Sequence, residues 1–564
     1  MADLSTNVRV RLSVMMFLQY AFNGIWVIPL FNYLTKTVGY TDTQAAGMGT
    51  TGALGFIVAP FFVGMIADRF FSAEKILGVL NILSAVFLYL ACTMAADSAG
   101  KPQPVVMFWI LFAHYLCYAP TWALTNTIAL NQMSDPGKQF PGIRVMGTFG
   151  WIAVSTVCLF STQIKDIFGT TQNFEYTRIP MLIGAGIGVV TGLFSFALPS
   201  TPPKSIGHAP TVSDILGVKA LRLFKDRSFS VFAIASFLIF FPAMFYWGFC
   251  NMYLNEVGMQ NAQFKQSIGQ MAEVVFMYLM PFFFMRYGVK TMLAVGFVAW
   301  LTRFVCFGYG YQAADLAFLM YIGLALHGVC YDFFFVTGQL YTDKKAPKEV
   351  QASAQGLLSF ITSGLGAFAA VYCAGMVVGN NVTHDLAASD IVNPAALSAR
   401  LQDGVKADVS PAKRVWELLD APSREAIASQ KSGDTLAKVL NPLVSKADLY
   451  DAADFAAITT KAKSGQDAMF NNLLEKQQKM QQGGEKMTDG DLHEFNRVLL
   501  ERAFNDQGLT IAPNRHLWSK IWLYPAIMAI ALFAFFMVGF HDKMLVVGGE
   551  PNTTAPAEKA KAAA

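Results

Sequence analysis

Gly64-Met-Ile-Ala-Asp68-Arg69-Phe70-Phe-Ser-Ala-Glu-Lys75 is a short polar break between two long apolar runs, at roughly 44–67 and 74–96. Its glycine allows close helix approach, Asp68 can pair with a neighbouring helix end, and Arg69 and Lys75 hold their charges in water. A run of about 20 apolar residues is what a helix needs to cross the hydrocarbon core. Moving outward from this break, similar runs recur at roughly 11–34, 104–132, 142–163, 179–198, 229–254, 267–285, 290–309, 314–340, 351–378 and 517–540. The longest polar break among the first eleven, 199–228, divides the twelve runs six and six.

The composition agrees with a chain that faces lipid. Of 564 residues, 54% are hydrophobic and 14% charged, where a soluble domain is nearer a quarter charged. The net charge of +4 is too small to suggest a nucleic-acid partner. Its distribution says more. Arg9, Arg11, Arg69, Lys75, Lys138, Arg286, Lys290 and the basic residues of 200–228, 341–349 and the segment after 541 fall on one side, against Lys36, Lys101, Lys165, Arg178 and Lys265 on the other. The positive-inside rule puts the richer side, and both termini, in the cytoplasm. Basic residues precede the first run, as in a signal peptide. The run continues too far, however, and no small-x-small site follows, so it reads as an uncleaved first span. All seven cysteines fall in apolar segments and imply no disulfide framework.

The fold class expected is an all-α membrane protein, twelve transmembrane helices in two six-helix halves around a central cavity. Residues 1–199 form the first half and 229–379 the next five helices. The linker 200–228 contains an amphipathic stretch with Leu216, Ala220, Leu223 and Phe224 between Lys219, Arg222, Lys225 and Arg227, a type that lies on anionic membrane faces. Residues 380–515 are too rich in charge for lipid and follow an odd-numbered span, so they should lie outside the cytoplasm as a small insertion. Helical patterns there cover 412–429, 447–462, 467–482 and 491–505, with an apolar stripe at Phe495, Val498, Leu499 and Ala503. Its partner is unknown. His384, Asp385 and Asp390 read better as a solvated linker than as a metal cluster, and the last span, 516–541, precedes a disordered cytoplasmic tail, 542–564.

Ionisable groups inside apolar runs are costly and point to function. Arg144, Thr148 and Trp151 stand at i, i+4, i+7 and share a helix face, offering a cation, a hydroxyl and a flat ring. Arg144 could equally snorkel at the membrane edge. Gln270 and Glu273 are one turn apart, and a carboxyl so deep in hydrocarbon tends to hold a proton. His327, Tyr331 and Asp332 repeat the pattern among aromatics. For both acids the competing reading is a fixed ion pair between helices. Gln19, Asn23 and Trp26 share a face suited to a hydrogen-bonding solute that carries a ring, or to holding helices together. Arg303 fits neutralisation of a neighbouring acid, and His114 a packed histidine. No P-loop, G-x-S-x-G, H-E-x-x-H or paired-cysteine motif is present, so neither an enzyme, a cofactor nor a metal is expected. Transport would then draw on an ion gradient.

The 64–75 break resembles the signature loop of the major facilitator superfamily, with Gly64, Asp68 and Arg69 as its conformational motif and Arg286-Tyr-Gly-Val-Lys290 as a degenerate echo. The chain from 10 to 378 resembles, in order, the nucleoside:proton symporter family of bacterial major facilitators. The matching stretches include Phe17-Leu-Gln19, Phe140-Pro-x-Ile-Arg144-x-x-Gly-Thr148, Gln270-x-x-Glu273, Ala299-Trp-x-x-Arg303-Phe304, Asp332-Phe-Phe334 and Ala352-Ser-Ala-Gln-Gly356. The resemblance implies a proton-coupled nucleoside importer of the inner membrane. By it, Arg144, Thr148, Gln270 and Glu273 contact the nucleoside, Tyr331 walls the base, Trp151 stacks, and Asp332 couples the proton. Two departures stand out: Met244 and Trp247 replace the family's Gln and Asn pair in span seven, and His327 stands where a tyrosine is expected. A carrier for another polar solute, such as a sugar or glycoside, is the alternative within transporters. A sensor or scaffold built on the outer insertion is the alternative outside them.

Overall fold

Apolar residues on every side of most long segments leave no solvated face, so such helices bury themselves in lipid or in one another. In the computed structural model, which describes residues 4–62, 72–98, 100–134, 136–168, 173–202, 218–347, 350–383, 385–386, 394–406, 411–444, 495–496, 500 and 515–542, they do so as a helical bundle. The first group of helices is α1 (Thr6–Val27), α2 (Asp42–Phe62), α3 (Ala73–Thr93), α4 (Pro104–Asn131), α5 (Pro136–Ser155) and α6 (Ile179–Ser195). The second is α7 (Arg227–Glu256), α8 (Ile268–Gly310), α9 (Phe318–Lys345), α10 (Ser353–Gly379) and, after the insertion, α15 (Trp518–Gly539). Gly64, Asp68 and Arg69 lie outside the described residues.

Among the described residues, nine helices are long and apolar enough to cross a membrane, and Ile179–Ser195 is a shorter apolar one. The expected span 44–67 is helical over its described part, as α2, and 267–285 is helical as the first arm of α8. The two arms of α8, expected as separate spans, meet at Gly288, whose φ of 69° breaks the helix and suits only glycine well. Small residues let helices meet backbone to backbone. A Cβ on Gly150 would lie 2.2 Å from the Phe17 carbonyl oxygen, which sets how closely α5 packs on α1.

The linker differs from expectation. Residues Val218–Lys225 form a 3-10 helix whose Ala220 and Leu223 are buried against the start of α7 and the start of α10, so its apolar side is spent on protein. Leu216 lies outside the described residues. Lys345, at the end of α9, clamps this region by ion pairs to Asp226 (3.0 Å) and Asp542 (2.7 Å).

The insertion is rooted by a two-stranded antiparallel ribbon that the sequence pattern did not reveal. β1 (Val382–Thr383) pairs with β2 (Arg515–His516), in the register Val382 to His516. Between them stand α11 (Pro394–Lys406), α12 (Pro411–Leu418), α13 (Ala421–Ala428) and α14 (Gly433–Val444). Leu401, Val415, Ile427, Leu436 and Leu440 are buried. The single helix expected over 412–429 is two, because Asp420 caps the second by accepting from Ser423 N (2.9 Å) and Pro422 occupies its first turn. The helices expected at 447–462 and 467–482, together with Val498, Leu499, Ala503, His384 and Asp390, fall outside the described residues.

The two groups are tied together at the insertion end. Asn32 Nδ2 donates to Asn251 Oδ1 (2.7 Å), and Gln263 Nε2 donates to the Gly24 and Ile25 carbonyls (both 3.1 Å). Glu175, in the turn before α6, accepts from Asn251, Asn255 and the Gln263 backbone at 2.9, 2.8 and 3.1 Å. A Cβ on Gly375 of α10 would lie 2.2 Å from Ala46 Cβ of α2. At the opposite end, bonds between described residues join helices of one group only, as in Arg11 to the Ala197 carbonyl (3.0 Å) and Thr201 N to Glu74 (2.9 Å).

Candidate functional site

Charged side chains from both groups meet near the middle of the bundle. The Arg144 guanidinium of α5 lies 4.5 Å from the ring centre of Tyr20 on α1. Its charge and that of Glu273, on the first arm of α8, both act on Tyr20 and on Tyr331 of α9, and Glu273 acts in turn on Asp332. The structure therefore brings Arg144, Glu273, Tyr331 and Asp332 together across the group boundary. Arg144 is half-buried, and a cation facing a ring is partly compensated for its lost hydration.

Asp332 is wholly buried, and both its carboxyl oxygens lack a hydrogen-bond partner. It sits in a π-helical turn, Tyr331–Val336, where Thr337 Oγ1 donates to the Asp332 carbonyl (3.0 Å). Such turns widen a helix and often accompany functional sites. His327, one turn earlier, has its ring 5.3 Å from Tyr246 and 5.9 Å from Tyr331, with Nδ1 buried and unpaired. The Gln270 Oε1 atom is also buried without a partner. Unmet acceptors of this kind are rare in native interiors and call for a physical explanation.

Two adjoining cavities share Phe240 and Ser363. One, of about 240 Å³, is walled by Asn23, Tyr115, Tyr118, Trp122 and Met244 among others. The other, of about 180 Å³, is walled by Trp247, Tyr331, Phe335, Gln339 and Thr362 among others. Each is smaller than the roughly 300–1,000 Å³ of a usual ligand pocket. Trp122 joins the first to the charged cluster, since its ring centre is 4.5 Å from that of Tyr20. Asn23 Oδ1, beside it, is buried and free to accept.

The other residues singled out in the sequence contact neighbouring helices as follows. Gln19 is fully buried and spent on its neighbours: it donates to Thr121 Oγ1 (2.6 Å) and accepts from Asn81 Nδ2 (3.2 Å), joining α1, α3 and α4. Trp26 packs against His114, with ring centres 5.2 Å apart. Trp151 packs on Gly24, where a Cβ would fall 2.8 Å from its ring, and Thr148 is buried beside it on α5. Arg303 has no acid beside it among the described residues. Its guanidinium stacks 3.6 Å over Tyr246 and its Nε donates to the Gly323 carbonyl (2.8 Å), while both terminal nitrogens are unpaired. His114 shares Nδ1 with Ser84, 2.9 Å from both its hydroxyl and its carbonyl.

Sequence reasoning missed Tyr20, Tyr115, Tyr118 and Ser363. Tyr20 carries a signal in hindsight, because it stands three residues before Asn23 and so shares its side of α1. The others are aromatic or small residues in apolar runs, where nothing separates a cavity wall from a packed core. Among the described residues, no group of three or more His, Cys, Asp or Glu could hold a metal ion.

Known proteins place this architecture. Residues 6–393 match the model of a family described as "Nucleoside H+ symporter". YegT of Escherichia coli (strain K12) is 40% identical over 371 residues, which is 65% of this chain and 84% of that protein. Nucleoside permease NupG of the same organism is 27% identical over 386 residues, 66% of this chain and 88% of its own. A crystal structure of the nucleoside transporter NupG superposes with a TM-score of 0.58 at 27% identity, covering 67% of this chain and 92% of that one. These relatives are transporters and not enzymes, and the helical, major-facilitator-like bundle is shared with them. The chain, a multi-pass membrane protein, belongs to the nucleoside H+ symporter family.

Proposed function

We propose that this protein imports nucleosides together with protons by alternating access in the bacterial inner membrane. The observation that carries the reading is the meeting of Arg144 and Tyr20 from one group with Glu273, Tyr331 and Asp332 from the other. A solute lodged there touches both halves, so rocking of one against the other moves its exposure from side to side. Arg144, Thr148, Gln270 and Glu273 bind the ribose and base through hydrogen bonds, with Asn23 as a further acceptor. Tyr331, Trp247 and Trp151 supply ring surfaces. Asp332, with Glu273 beside it, takes up the proton: an unpaired buried carboxyl is costly when charged and cheap when neutral. Gln19 acts through helix packing and stays outside the ligand set.

The chain crosses the membrane twelve times, six on each side of the 200–228 linker, with α2 and both arms of α8 included. The termini and the 64–75 loop, with Gly64, Asp68 and Arg69 as its conformational switch, are cytoplasmic. The insertion is extracytoplasmic. The bonds that tie the two groups at the insertion end then close the outer face, and this conformation is the one that discharges inward.

Proteoliposome uptake tests the proposal. Labelled uridine or adenosine should accumulate only under an inward proton gradient and be competed by other nucleosides. A second reading has its own observation: Met244 lines one cavity and Trp247 the other, where amide side chains would have offered hydrogen bonds. Uptake of a glycoside or sugar in place of nucleosides by folded protein would favour that reading.

A further inference from the structure

The structure assigns a gating role to His516, a residue beyond the segment that matches the family. It stands on β2, at the exit of the insertion, and its ring joins two carboxylates. Nδ1 lies 2.6 Å from Glu256 Oε2 at the end of α7, and Nε2 lies 3.2 Å from Asp42 Oδ2 at the start of α2. The backbone N of His516 donates to the other Glu256 oxygen (2.9 Å), and the ring centre of Trp518 is 5.0 Å away. Glu256 belongs to the same group of helices as His516, whereas Asp42 belongs to the other. The His516–Asp42 pair therefore spans the boundary that must part if the outer face opens, and Glu256 holds the imidazole in place and favours its charged form. We propose that His516, as imidazolium, locks the outer gate shut, so that the root of the insertion is a working part of the transport cycle.

The charges facing this site come from three directions. Asp42 and Glu256 touch the ring, and Lys36, at the end of the π-helical turn after α1, acts on Glu256, as does Glu256 on Tyr176. Burial alone would lower the imidazole's proton affinity, but Glu256 and Asp42 outweigh it and raise the pKa to about 9. When the halves part, Asp42 is lost as a partner while Glu256 stays, so the imidazole holds its proton less tightly than in the closed gate. Protonation therefore favours the closed outer gate. The stabilisation is fully present below the lower open-gate value and is lost as pH rises through about 9. The lock rests on the alternating-access reading above, but its test needs no substrate.

Spin labels at Lys101→Cys and Ala313→Cys, exposed positions at the insertion end of the two groups, report the outer opening by electron–electron distance in a background without native cysteines. In the otherwise unchanged protein, the wide-open population should grow from pH 7 to pH 10. H516Q should raise the open-to-closed ratio at pH 7 by about tenfold, within the roughly 5–150-fold range of conformational couplings, and flatten the pH response. D42N leaves the His516–Glu256 pair intact and should open the gate likewise. Both variants keeping the parent's distances and pH response would overturn the lock while leaving alternating access standing. A parent that shows one outer distance at every pH, with and without uridine, would overturn both.

Discussion

Among the described residues, Asp332 has neither a cation nor a hydrogen-bond donor to stabilise its charge, and it has a carboxyl neighbour in Glu273. Two carboxyls so placed do not readily ionise together. Asp332→Asn and Glu273→Gln should each abolish proton-driven accumulation, while leaving folded, monodisperse protein on gel filtration. Full accumulation by either variant removes that acid from the coupling scheme. Arg303 makes a different case. It was legible as a buried charge, but its partner was not, because a ring leaves no charge signal in a sequence. With its guanidinium on Tyr246 and its Nε on a carbonyl, it serves packing. A desolvated cation–π contact is worth about 2 kcal/mol. Arg303→Lys should therefore lower the Tm in detergent by several degrees and leave the KM for nucleoside unchanged.

At the scale of elements, the runs of apolar residues announced nearly every helix, since lipid demands continuous hydrophobicity and closed backbone hydrogen bonding. They also announced the break at Gly288, between the runs 267–285 and 290–309; what they concealed were the π-helical turns at Tyr331–Val336 and Phe360–Gly366 and the 3-10 turn over Val218–Lys225. A periodicity is blind to the π-helical turns, because their residues are as apolar as those of the α-helices around them. Spacing named the face on which Gln19 and Asn23 stand. It could not say that Thr121 and Asn81 would occupy one while the other was left facing a cavity. Close contacts give a prediction at this scale. Gly150→Val drives a Cβ into the Phe17 carbonyl, and forcing α1 from α5 should cost about 1–3 kcal/mol, read as a lower Tm. Gly375→Val meets Ala46 only where the outer face is closed, so it should reduce uptake more than stability.

Over the whole molecule, the long apolar runs pointed to the helical, major-facilitator-like bundle, and charge density set residues 380–515 apart from those runs. The attachment of this insertion stayed hidden, because two-residue strands have no pattern to recognise. The attachment decides what removing the insertion does. Replacing residues 385–513 with a short Gly-Asn turn keeps β1, β2 and His516, so uptake should stay close to that of the full chain. Extending the deletion through His516 should reproduce the altered pH response of H516Q in the same assay.

The ribbon at Val382 and His516 has a use beyond transport. A domain that enters and leaves through paired neighbouring strands has its ends side by side, which is the geometry that tolerates exchange for an unrelated domain. A fluorescent protein or a small ligand-binding module grafted at this socket would sit directly on the strand that carries His516. The graft would turn gate opening into an optical signal, or place the gate under the control of a chosen molecule.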